Sequence, residues 1–242
     1  MADTREELLS KPWFGFDLDD TLHEFRKASG AATTVALSHI ATQHQILLKD
    51  LKAAYKKVLA RGTWNSFTDG RTSLQYRKER FANLLEMFYI VPTSEFLDIL
   101  AARYKTALEQ SLEIKPGAAG LLKYLKEKGK KVVVITEGPE DAQKWTLEKL
   151  GLIEHVDYLA TSNRLGVSKA AGLFPRVLDE LQIKGEDLVF VGDSYPRDVV
   201  PALAEGIRAV YYAENGGISF KSEPLRITSL ETLEIFLKGK GV

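Results

Sequence analysis

The sequence contains no cysteine, which excludes disulfides and thiolate metal sites and accords with a reducing compartment. It carries no excess of either charge. Its 33 Lys and Arg balance 33 Asp and Glu across 242 residues, so no global field draws it to a nucleic acid polymer or a membrane. No apolar run approaches the length of a bilayer crossing, and no repeat or low-complexity tract is present. The opening Met1-Ala2-Asp3-Thr4-Arg5-Glu6-Glu7 is acidic where a secretory signal would be basic and then apolar. His23, His39, His44 and His155 have no metal-ligand spacing and are read as incidental. These absences lead to the expectation of a soluble cytoplasmic protein whose partner is a small molecule, with no partner protein implied.

Four short apolar runs, at 13–17, 131–136, 187–192 and 207–212, read as buried parallel strands, and 158–160 is a candidate fifth. Helical patterns at 118–128, 140–150, 171–181 and 198–205 accompany them. Strand alternating with helix predicts an α/β fold: a Rossmann-like parallel sheet with helices on both faces. The stretch from His23 to Glu113 has no comparable strand but shows helical periodicity at 36–47, 48–60, 74–88 and 94–108. The expected organisation is therefore a core of 1–22 and 114–242 with an inserted α-helical cap domain, 23–113. Because the insertion leaves just after the first strand, it is placed to act as a lid, or simply to pack beside the core.

The chemistry gathers where strands end. Phe14-Gly15-Phe16-Asp17-Leu18-Asp19-Asp20-Thr21-Leu22 turns abruptly from apolar to acidic, and open α/β sheets bind ligands at the carboxyl ends of their strands. Crowded carboxylates need a cation, and oxygen-only ligands suit Mg²⁺. The plainer alternative is that Asp20 or Thr21 caps the next helix. The second run stops at Thr136-Glu137-Gly138, where a hydroxyl and backbone amides can take phosphate, or where Thr136 is an ordinary N-cap. The 187–192 run stops at Gly192-Asp193-Ser194, with Asp198 as a further ligand or as a helix cap. Gly192 allows a tight exit from the strand. Lys169 lies in the loop Gly166-Val167-Ser168-Lys169; loop lysines are usually exposed, but next to carboxylates and phosphate its charge would be useful.

Asp17-Leu18-Asp19-Asp20-Thr21, Thr136, Lys169 and Gly192-Asp193-Ser194 with Asp198 resemble, in order and spacing, the four motifs of the haloacid dehalogenase-like (HAD) superfamily. The helical insertion between the first two motifs is similar to that family's first cap type. The resemblance implies Asp17 as the nucleophile that forms an aspartyl-phosphate and Asp19 as the acid and then the base. It implies phosphate binding at Thr136, Glu137 and Lys169, and Mg²⁺ held by Asp17, the backbone carbonyl of Asp19, Asp193 and Asp198. The dehalogenase branch lacks the second aspartate, so Asp19 favours phosphoryl chemistry. Glu137 departs from the small or amide residue that related enzymes carry there, and its charge would repel phosphate or point outward.

The stretch Trp64-Asn65-Ser66-Phe67-Thr68-Asp69-Gly70-Arg71-Thr72-Ser73-Leu74-Gln75 is similar to the cap segment of pyrimidine 5'-nucleotidases of this superfamily. Trp64 and Arg71 are the expected substrate contacts there, with Phe67, Arg77 and Arg80 as further candidates and Leu74, Phe81 and Leu84 as cap core. The expectation is a Mg²⁺-dependent phosphatase of a small phosphorylated metabolite, first a nucleoside 5'-monophosphate. A sugar phosphate or phosphoglycolate, a phosphomutase, and a binding or regulatory module on the same fold are the alternatives.

Overall fold

The computed structural model describes residues 2–61 and 67–239. Six strands form one parallel sheet: β1 (Trp13–Phe16), β2 (Lys131–Thr136), β3 (Tyr158–Thr161), β4 (Leu188–Gly192), β5 (Arg208–Tyr212) and β6 (Leu225–Ile227). Their order is β3-β2-β1-β4-β5-β6, so β1 lies between β2 and β4. The strands read as unbroken apolar runs because both faces are covered. Phe14, Phe16, Val132, Val134, Val189 and Val191 face one core cluster, and Trp13, Val133, Ile135, Leu188 and Phe190 face the other.

On the first face lie α1 (Ala2–Ser10), α6 (Ala118–Glu127) and α11 (Leu230–Leu237), which contribute Leu8, Leu121, Leu125, Leu233 and Leu237. On the second, α9 (Leu173–Leu181) and α10 (Val200–Ala204) contribute Phe174, Val177 and Ala202. Between β2 and α9 run α7 (Glu140–Lys149) and the single turn α8 (Ser162–Leu165). Neither the short β6 nor the two terminal helices were expected. β6 has only three residues and is held by pairing with β5, a long-range contact with no local signature. The expected 198–205 helix is instead a π-turn over Tyr195–Val199 followed by α10.

Between β1 and α6 come four consecutive helices, α2 (Phe25–His44), α3 (Leu48–Arg61), α4 (Ser73–Glu86) and α5 (Ser94–Gln110). They enclose a core of their own, built on Leu37, Ile40, Tyr55, Phe81, Leu84, Leu100 and Tyr104. α2 begins eleven residues before the expected start at Ala36. Its first half buries Ala28, Ala32 and Ala36 at a four-residue spacing, so the contact stripe is made of small residues that an apolar pattern overlooks. Leu74 is half exposed and does not belong to this core, whereas Phe81 and Leu84 do. The chain leaves and re-enters through adjacent segments: His23 bridges Ile114 antiparallel, and the Glu24 N–H donates to the Glu113 carbonyl at 2.9 Å.

Candidate active site

β1, β2 and β4 are neighbours, and their carboxyl ends bring Asp17, Thr136 and Asp193 together. The Asp17 N–H continues the ladder to the Val191 carbonyl at 2.9 Å, after which the chain turns, with Asp20 in the left-handed region (φ 64°). Thr21 ties the first and fourth strands together. Its hydroxyl donates to Asp17 Oδ2 at 3.2 Å and accepts the Asp193 N–H at 3.1 Å. Neither Asp20 nor Thr21 is the N-cap of α2, a position held by Glu24; Asp20 Oδ1 instead accepts the Arg26 N–H of the first turn at 3.0 Å.

Lys169 is buried, and its Nζ lies 2.5 Å from Asp17 Oδ1 and 2.6 Å from Asp198 Oδ1. One ammonium thus joins two buried carboxylates from β1 and from the turn after β4. Carboxylate oxygens of Asp17, Asp193 and Asp198 all fall within 4.8 Å of one another. This all-oxygen, anionic donor set fits a hard divalent cation such as Mg²⁺. Burial pushes the Asp17 carboxyl up against the pull of Lys169, with the charges of Asp198 and Asp19 adding to the rise. Asp193 is pushed up to about 6, first by burial and then by Asp198. Crowded acids with raised affinity for protons are what a bound cation would relieve.

Asp198 does not cap a helix. Its Oδ2 accepts the Ser194 N–H at 2.9 Å, closing the turn that carries it. Gly192 is needed for this approach: a Cβ there would meet the Asp198 side chain at 2.5 Å, so the glycine serves close packing and not only a tight strand exit. Thr136 does not cap α7 either, since Pro139 is that N-cap; the Thr136 hydroxyl is fully buried, has no hydrogen-bond partner among the described residues and borders the cavity. The Glu137 carboxylate does not point outward but borders the cavity beside Thr136. It accepts the Lys169 N–H at 2.7 Å and pairs with Arg197, so it holds the lysine loop in place.

Asp19 stands apart from the lysine cluster. His23 Nε2 is 2.9 Å from its Oδ1, and Gln143 Nε2 donates to Oδ2 at 3.4 Å. Both partners are buried, and His23 Nδ1 and Gln143 Oε1 have no hydrogen-bond partner among the described residues. His23 is therefore not incidental, and Gln143 was not singled out at all. The available signal was Gly138, where a Cβ would lie 2.2 Å from Gln143 Nε2, but its meaning depends on the fold.

These groups border a cavity of about 350 Å³ that continues to Phe67, Tyr76, Arg77, Arg80 and Tyr104 of the helical insertion. A shallower hollow of about 660 Å³, lined by Lys115, Tyr212 and Glu214, adjoins it past Arg26 and Asp193 but lacks Asp17 and Lys169. Arg71 is not on the cavity wall. Asp69 (2.7 Å) and Glu79 (2.5 Å) hold its guanidinium outside. Trp64 lies outside the described residues.

The sequence matches the haloacid dehalogenase-like hydrolases over residues 13–206. The chain belongs to that family. Among similar proteins is the ribulose-1,5-bisphosphate 5-phosphatase of Halopiger xanaduensis, 27% identical over 203 residues, with 81% of this chain and 82% of that one covered. The pyrimidine 5'-nucleotidase YjjG of Escherichia coli is 27% identical over 81% of this chain and 83% of its own. The HAD-hydrolase YfnB of Bacillus subtilis, solved with magnesium bound, superposes with a TM-score of 0.68 over 94% of this chain and 99% of that one, at 24% identity. That likeness is one of fold. The HAD-like chain is thus a hydrolase, and no helix among its described residues is long and apolar enough to cross a membrane.

Proposed function

We propose that this HAD-like hydrolase is a Mg²⁺-dependent phosphatase that cleaves a small phosphate monoester through an aspartyl-phosphate. The observation that carries this reading is the division of the acids: Asp17 is locked to Lys169, while Asp19 is held separately by His23 and Gln143. A nucleophile must be ionised and an acid must carry a proton, so two nearby carboxyls need unlike surroundings. Residues 23–113 are taken as the cap that closes the cavity, and 1–22 with 114–242 as the catalytic core.

An Asp17 oxygen attacks phosphorus as the ester P–O bond breaks, and Asp19 delivers its proton to the departing alkoxide oxygen. Water then displaces the aspartyl oxygen from phosphorus, its proton returning to Asp19, and inorganic phosphate leaves. Lys169 and the unpartnered Thr136 hydroxyl hold the transferring group. Mg²⁺, held by Asp17, Asp193, the Asp19 carbonyl and, directly or through water, Asp198, would neutralise the negative charge shared by nucleophile and phosphate.

Two ester classes fit. A nucleoside 5'-monophosphate is supported by the likeness to the nucleotidase and by Phe67, Tyr76, Tyr104 and Trp145 on the wall, rings on which a base can stack. A short phosphorylated sugar or acid is supported by the likeness to the bisphosphate phosphatase and by a volume near the lower end of the roughly 300–1,000 Å³ usual for ligand sites. Phosphate release from a panel of nucleotides, sugar phosphates, phosphoglycolate and an aryl phosphate, each with Mg²⁺ and with chelator, tests both levels. Release that needs Mg²⁺ supports the chemistry and ranks the classes; no release from any ester refutes it in favour of phosphoryl transfer back to substrate or of a binding role.

A further inference from the structure

Four arginines line the cavity that holds Asp17 and Lys169. Two of them are already neutralised. Arg26 lies 3.1 Å from Asp20 and 3.3 Å from Asp193, and Arg197 pairs with Glu137. Arg77 and Arg80 differ, because among the described residues neither is in an ion pair with any carboxylate.

The placement of Arg77 and Arg80 is set by α4. Ser73, Tyr76, Arg77 and Arg80 all border the cavity, and their spacing puts them on one helix face. The start of that face is pinned to the core: Asp141 accepts the Ser73 N–H at 3.0 Å and its hydroxyl at 2.7 Å. A capping box between Thr72 and Gln75 secures the same turn. Aromatic rings then fix the guanidinium groups. Arg77 lies 3.4 Å from the Tyr104 ring centroid, while Arg80 lies 5.3 Å from that of Phe67. A ring under a guanidinium meets its flat face and leaves donors in the plane of the fork for an anion.

We propose that Arg77 and Arg80 form a subsite for a second anionic group on the substrate. The substrate class is then a small phosphate monoester bearing a further phosphate or carboxylate on a short skeleton. This deepens the phosphatase reading and rests on it. The charges at the opposite end cannot serve the same purpose, since Lys169 already faces Asp17 and Asp198. An ester with an uncharged far end would desolvate two cations without pairing them, so the subsite also rejects. Nucleoside monophosphates, whose bases are uncharged, therefore rank below phosphorylated acids and bisphosphates.

A matched series isolates the second anion: propyl phosphate, 3-phosphooxypropanoate and propane-1,3-diyl bisphosphate. Binding is measured by calorimetry on the full chain carrying Asp17→Asn, with Mg²⁺ present, and phosphate release is followed in parallel on the wild type. The expected result is that at least one doubly functional ester binds tenfold or more tightly than propyl phosphate, and that Arg77→Gln with Arg80→Gln shrinks this ratio to less than threefold. Taking the ratio within one preparation cancels a general loss of affinity. The tighter of the two doubly functional esters identifies the anion as phosphate or carboxylate. No preference in the parent, or a preference that survives the double variant, overturns the subsite. Should the double variant not fold, the single variants Arg77→Gln and Arg80→Gln are compared with Arg77→Lys and Arg80→Lys; the preference must fall with glutamine and partly return with lysine, and equal ratios overturn the proposal. Preferential binding without phosphate release refutes the phosphatase reading and leaves the subsite standing, whereas release without preference does the reverse.

Discussion

The two ends of the cavity are built on opposite principles. At the core end every charge has a partner within the protein: Lys169 joins Asp17 and Asp198, Glu137 holds the Lys169 backbone, and Arg26 lies on Asp193. At the insertion end, Arg77 and Arg80 rest on rings and no carboxylate pairs with them among the described residues. Mutual pairing fixes geometry before the substrate arrives, which is what a reaction common to many esters requires. Unpaired cations leave interaction energy for the ligand, which is what discrimination requires. The difference separates residues that do chemistry from residues that choose the ester.

If that division is right, variants at the core end should cost the most. Asp17→Asn retains side-chain size and should keep the fold while lowering phosphate release by about 10⁴-fold or more, read as kcat on any accepted ester. Substantial turnover by the pure variant would remove Asp17 from its role. Lys169→Met should lower kcat by about 10²–10³-fold. It also leaves two buried carboxylates unpaired, a loss of about 3–5 kcal/mol for a broken buried pair. Chemical denaturation with and without Mg²⁺ should show that loss largely recovered when the cation is present, because the metal would replace the missing positive charge.

A smaller effect tests whether Asp19 depends on its supports. His23→Ala should reduce kcat by about 10–100-fold, with His23→Gln recovering part of it through a single restored hydrogen bond. A change confined to KM would assign His23 to packing instead.

Proton competition gives the next prediction. Asp193 carries a carboxyl raised to about 6, and it must lose its proton to meet a cation. Mg²⁺ affinity should weaken as pH falls through it, protonation of Asp193 alone lowering it to about a tenth of its full value one unit below, with the raised Asp17 carboxyl adding to the loss. Mg²⁺ titrations at pH 8 and pH 5 check the sign; tighter binding at pH 5 would exclude Asp193 as a ligand. The smallest effect belongs to the seam between insertion and core. Asp141→Ala removes the acceptor of the Ser73 N–H and hydroxyl, worth about 1 kcal/mol, and should raise KM about fivefold with little change in kcat.

Much of the core was legible from the chain alone because its signals are local. The run 131–136 reads as a strand and is β2, residue for residue. The positions of Asp17, Thr136 and Asp193 follow from apolar runs ending in polar residues. The insertion was legible as helix but not in detail. Small residues concealed the first half of α2, and Arg71, Arg77 and Arg80 look equivalent along the chain until helix phase turns two inward and acids hold the third outside.

The sequence by itself therefore determined the sheet, its helical insertion and the chemical types gathered at the strand ends, because periodicity and turn chemistry act between near neighbours. Only the tertiary structure decided the pairings. Lys169 meets Asp17 across 152 positions, and Gln143 reaches Asp19 across 124. His23, only four residues from Asp19, gains its role from a loop folded back on itself and shut off from water. Such contacts depend on which strands become neighbours and how deeply each group is buried, and these are properties of the packed chain as a whole.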